Sequence, residues 1–149
     1  MNYSECIENA RTRIGNYCKA CPECNGRACK NQMPGPGAKG IGDTAIRNYD
    51  KWKEIRVQMD TIAENKPVDT SLELFGKKFL YPFFAGPVGA VGLHYGDCLD
   101  DVRYNDILVS ACAKYGITAF TGDGLDSNVM VAATKAIGKT DGIGIPTVK

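Results

Sequence analysis

Four cysteines crowd into one short stretch, YCKACPECNGRACK, with the spacing Cys18-x2-Cys21-x2-Cys24-x4-Cys29. Thiolates spaced this way reach one ion from a tight turn, and Pro22, Asn25 and Gly26 supply turn residues. Four thiolates satisfy a tetrahedral zinc ion or an iron–sulfur cluster. The run departs from the bacterial ferredoxin pattern, which has three residues before its last cysteine and a proline after it. It also lacks the distant second CxxC of a zinc ribbon. Reduced surface or packing cysteines are therefore a second open reading, and Arg27 and Lys30 would hold thiolate charge with no metal. Cys6, Cys98 and Cys112 read as bystanders, with Cys112 at helix-core spacing from Leu108.

The other candidates are weaker. NQMPGPGAKGIGD, residues 31–43, is a loop rich in glycine and proline. Lys39 within it could meet a phosphate, but GxxxxGK[ST] is absent, so a lead-in segment is the default. His94 is the only histidine and lies between Gly92 and Gly96. It could serve as ligand or base, but a histidine packed in a loop is the default. Asp97, Asp100 and Asp101 could coordinate a cation, though a solvated acidic loop is the simpler reading.

These residues need elements to position them. Ser4 is expected to cap a short helix covering Ile7, Ala10 and Ile14. Asp43 or Thr44 caps a second helix, with a stripe of Ile46, Tyr49 and Trp52. Val57, Met59, Ile62 and Ala63 continue its apolar content less regularly. Leu72, Leu74 and Phe75 form a ribbon that turns at Gly76. Phe79 to Ala85 is apolar and aromatic, which predicts a strand buried on both faces. It opens into Gly86-Pro87-Val88-Gly89, where small residues let backbone N–H groups approach a flat or anionic ligand. GLHYGDCLDDVRY reads as a loop, and Asn105 caps a helix that ends at Gly116. Ile117–Phe120 is a second buried strand ending in Thr121-Gly122-Asp123-Gly124. Asp126 or Ser127 caps a helix closed by Gly138, and residues 142–148 form a third strand.

Strand–helix alternation at short spacing means a parallel sheet, with functional groups at the strands' C-terminal edge. Two architectures fit: an open doubly wound sheet, or the opening of a (β/α) barrel. A barrel needs eight strands and about 250 residues. This chain has 149 residues and stops directly after its last strand, so a fragment is expected.

Composition narrows the function classes. A net charge of +1 with dispersed Lys and Arg gives no argument for nucleic acid. No apolar run approaches the roughly 18–20 residues of a membrane span. MNYSECIENARTRIG lacks a secretory apolar core, so a cytoplasmic protein is expected.

Residues 46–149 resemble the N-terminal part of the FMN-dependent α-hydroxy-acid dehydrogenase and oxidase family, which includes glycolate oxidase and lactate oxidase. DTSLELFGKKFLYPFFAGPVG is similar to the family's opening ribbon and first barrel strand. The helix ending ACAKYG, followed by ITAFTGDG, is similar to its first helix and second strand. The resemblance implies an α/β fold: an N-terminal fragment, about three strands, of a (β/α)8 TIM barrel. A helix with a Cys- and Gly-rich leader (1–43) would precede an incomplete FMN-binding domain (44–149).

It further implies FMN as cofactor and oxidation of a small 2-hydroxy acid by a full-length homo-oligomer. Pro87, Val88 and Gly89 would pass along the flavin with their backbone. Thr121 stands where the family has a serine on the flavin, and Thr147 where it has a glutamine. Asp123 and Lys149 stand at substrate-facing positions that the family fills with an aromatic residue and a tyrosine. The family's catalytic histidine and carboxylate-binding arginines come from later strands, so the catalytic residues are unassigned here and His94 is wrongly placed for the base. Alternatives are a flavin-dependent isomerase of the type 2 isopentenyl diphosphate isomerase kind, and a cysteine-cluster electron-transfer module.

Overall fold

The computed structural model describes residues 2–14, 18–30, 43–124, 126–141 and 143–148. The chain divides into two compact units: residues 1–65 with 92–98, and residues 66–91 with 99–149.

The first unit contains α1 (Tyr3–Arg11) and α2 (Thr44–Trp52). Asn2, not Ser4, caps α1: its side chain accepts from Glu5 N, and the Glu5 carboxylate returns a bond to the Asn2 N–H. Asp43 caps α2 without a side-chain bond. The helix stops at Trp52, short of the expected apolar continuation. Val57, Met59 and Ile62 lie outside it and are exposed, Ile62 to 97%. Their irregular spacing gives no face that a helix could bury.

The second unit begins with a hairpin. β1 (Leu72–Leu74) pairs antiparallel with β2 (Lys77–Phe79), Leu72 opposite Phe79. Phe75 and Gly76 both take positive φ, 54° and 70°, so the strands reverse over two left-handed residues. The expected continuous strand over Phe79–Ala85 is therefore divided. Phe79 closes the hairpin, and β3 is only Phe84–Ala85. Nor is the run buried on both faces, since Leu80, Tyr81, Phe83 and Phe84 are exposed.

β3 runs parallel to β4 (Thr118–Ala119), with Ala85 opposite Ala119. Phe120 N–H donates to Ala85 O at 2.9 Å. From β4's opposite edge, Thr121 N–H donates to Ile145 O at 2.9 Å and Ala119 O accepts from Ile145 N–H at 2.8 Å. The expected third strand thus appears as a single parallel bridge, Phe120 to Ile145. The order across the sheet follows the order along the chain. α4 (Asp101–Lys114) connects β3 to β4, and α5 (Asn128–Gly138) leads from β4 to Ile145. Asp100, not Asn105, caps α4, its Oδ1 accepting from Arg103 N at 2.6 Å. A short helix, α3 (Val91–Tyr95), replaces the loop expected around His94.

Both long helices cover one face of the sheet. Val109 and Cys112 of α4 and Ala136 of α5 pack with Ala119, flanked by Ala85, Leu108, Ile117 and Ile137. Small residues on the sheet admit this approach: a Cβ on Gly144 would stand 2.8 Å from Ile137 Cγ1. The alternating side chains Phe84, Thr118, Phe120, Ile143 and Ile145 instead line an apolar cleft of about 520 Å³ with Leu74, Phe75, Lys77 and Phe79.

Candidate functional site

The C-terminal ends of the parallel strands meet at one edge, built largely from backbone. A Cβ on Gly122 would collide with the carbonyl of Val88, and one on Gly89 with the carbonyl of Asp123. The loops after β3 and β4 therefore touch main chain to main chain, which only glycine permits. α4 fastens both loops. Asp101 Oδ1 accepts from Val91 N at 3.0 Å, just beyond the first loop. Asn105 is fully buried; its Oδ1 accepts from Gly122 N at 3.0 Å and its Nδ2 donates to Asp101 O at 2.8 Å. Thr121 is also fully buried, and its Oγ1 accepts from Thr147 N at 3.3 Å, tying in the segment after Ile145.

A cleft of about 190 Å³ opens at this edge, lined by Asp123, Asp126, Ser127, Met130 and Thr147 among others. Of the residues singled out from sequence, Asp123 and Thr147 line it, and Thr121 lies buried beneath the edge. Pro87, Val88 and Gly89 form the neighbouring loop, where Pro87 is exposed and the Cβ direction of Gly86 is open. Lys149 lies outside the described residues, as does Lys39. From sequence, Asn105 is expected to be a helix cap and Asp101 part of a solvated or cation-binding loop; that they tie the two loops is not anticipated. The available signal was an asparagine four residues before Val109, on the stripe that continues to Cys112. A polar residue on a core stripe needs a partner.

In the other unit, His94 lies on α3. Its Nδ1 is buried without a hydrogen-bond partner among the described residues. The four clustered cysteines are free thiols; Cys24 is exposed, and Cys18, Cys21 and Cys29 are partly buried. Loss of part of its hydration raises the pKa of the exposed Cys24, helped by the neighbouring Cys18, Cys29 and Cys21. Among the described residues, no group of three or more His, Cys, Asp or Glu side chains stands ready to hold a metal ion. No helix among them is long and apolar enough to cross a membrane.

Residues 35–140, which include α2, the hairpin and the strand–helix units up to α5, match the FMN-dependent dehydrogenase family. The chain belongs to that family. Membership makes it part of an FMN-dependent oxidoreductase, a flavoprotein. Comparison with curated proteins and with solved structures gives no match. The edge suits FMN through its backbone, with an exposed Gly86-Pro87 and a neighbouring cleft of small and polar residues. The Thr121 side chain is not on that surface.

Proposed function

We propose that residues 44–149 form the opening of a (β/α)8 barrel that holds FMN across its C-terminal edge and oxidises a small 2-hydroxy acid, with residues 1–43 as a leader. Both connecting helices, α4 and α5, lie on one sheet face. One half of a doubly wound sheet would place them the same way. The barrel reading therefore rests on the family match together with the second face, which is lined by apolar side chains as a barrel interior is. The sequential strand order agrees with the barrel.

When bound, FMN supplies the electron acceptor for the α-carbon of the substrate. This chain's residues orient it. The main chain of Pro87, Val88 and Gly89 would lie along the ring, where the open Cβ direction of Gly86 leaves room. Thr147 presents a small polar group from the third strand end. Thr121 acts through Thr147 rather than on the ring, because its Oγ1 holds Thr147 N–H. Asp123 takes a substrate-facing position, beside Asp126 in the same cleft. A substrate carboxylate needs cationic partners to bind next to these acids. Lys149 is this chain's candidate for one, and family arginines on later strands would supply the others.

The test is an anaerobic flavin spectrum of the purified holo-protein. Glycolate, lactate and longer 2-hydroxy acids are added one at a time. Bleaching of the flavin band by one of them supports the reading. A flavin that dithionite reduces and no 2-hydroxy acid bleaches overturns the substrate assignment.

A further inference from the structure

We propose that Cys18, Cys21, Cys24 and Cys29 form a tetrathiolate site for a metal centre, a zinc ion or an iron–sulfur cluster, which closes when the metal draws the four thiols together. The inference stands apart from the flavin edge and does not depend on the substrate reading.

A packing role does not account for these residues. Cysteine used as a small apolar side chain is among the most buried residue types. Cys112 behaves that way and Cys24 does not, being exposed, while the other three are only partly covered. The loop itself has no helix or strand, yet side chains of both helices hold it. The Tyr3 hydroxyl donates to the Pro22 carbonyl. The Tyr49 hydroxyl donates to Glu23 Oε2 at 2.6 Å, and Arg27 pairs with Asp50 at 3.5 Å.

Within the loop the main chain takes conformations that side chains oppose. Ala20, between the first two cysteines, is buried at φ 42°. Such a residue persists only where its surroundings dictate it. Gly26, between the last two, has φ 73° and lies against α2; a Cβ there would stand 2.6 Å from Ala45 Cβ. The segment that carries the four thiols is thus bent and fastened to both helices, and Cys24 feels the charge of the other three.

No ready-made group of three ligands exists among the described residues. Cys29 Sγ instead rests 3.9 Å from the Gly26 carbonyl. Closure therefore asks side chains to rotate within a loop already held. Free thiols keep their protons and have no ion to gather around; metal binding displaces those protons and its charge offsets the repulsion among the resulting thiolates.

The test is metal and acid-labile sulfide analysis of protein purified without oxygen, followed by titration of the metal-free protein with Co²⁺ alone. One zinc per chain, or iron with matching sulfide, supports the site and identifies its occupant. Co²⁺ should give the intense thiolate charge-transfer and tetrahedral ligand-field bands. Cys18→Ser and Cys24→Ser should each lose the bound metal and these bands, while Cys6→Ser and Cys98→Ser keep them. Folded protein with no metal and no cobalt bands overturns the proposal. So does equal metal loss from Cys6→Ser and Cys24→Ser.

Discussion

Asn105 has no exposed surface, and both ends of its amide are used. Replacing it with alanine leaves the Gly122 N–H without a partner in the interior. The cost is about 1–3 kcal/mol for an abandoned buried group. Thr121→Ala removes one acceptor, for Thr147 N, and is expected to cost about 0.5–1.5 kcal/mol. Gly122→Ala should exceed both, because its new methyl meets the Val88 carbonyl and only separation of the two loops relieves the clash. Urea unfolding of the three variants should rank them Gly122→Ala, Asn105→Ala, Thr121→Ala. A Gly122→Ala protein as stable as the parent would mean that the loops do not touch. Gly89 belongs to the same argument. The sequence suggests a flat ring as the reason for its missing side chain, but the space beside it holds Asp123. Sequence revealed that bulk is excluded there, and could not reveal by what.

At the scale of elements, the glycine and acidic punctuation was readable where it acts locally. Gly116 ends α4 at φ 71°, and Asp126 sits at the start of α5, its Oδ1 accepting from Asn128 N at 2.9 Å. The alternation of strands and helices was readable too. What failed was the division of the aromatic run. Phe79, Leu80, Tyr81, Phe83 and Phe84 share one composition, but Phe79 ends a hairpin and Phe84 starts a parallel strand. Composition alone carries no pairing partner, and Pro82 was the only mark of the break. The hairpin turn holds a further cost, since Phe75 stands at φ 54° with 87% of its surface exposed. A bulky residue is disfavoured there, whereas Asn-Gly is the preferred pair for such a turn. Phe75→Asn is therefore expected to raise stability by about 1 kcal/mol. A lower melting midpoint for Phe75→Asn would mean that the ring contributes more through the apolar cleft than its backbone loses.

On the scale of the whole molecule, the sheet of the second unit has one face covered by helices and one exposed apolar face. Ala119 is covered by Val109 and Cys112 of α4 and Ala136 of α5. On the other side the Phe84 ring lies 4.9 Å from that of Phe120, tilted 58° to it, yet remains 59% exposed. Together with Leu74, Phe75, Ile143 and Ile145, these rings line the apolar cleft. A monomer seldom shows a contiguous apolar surface of this kind without a use for it. In a barrel that surface is the interior, filled by layers of side chains from all the strands. The 149-residue chain should therefore bind the apolar dye anilinonaphthalene sulfonate under native conditions, with near-UV dichroism retained. Retained dichroism separates a built cleft from a molten state, which binds the dye but loses fixed aromatic packing. Phe84→Ser removes a ring that is 59% exposed and lies outside the cluster packed beneath the helices, so it should lower dye emission severalfold without unfolding the helical face. Emission unchanged in Phe84→Ser would locate the dye elsewhere than on this face.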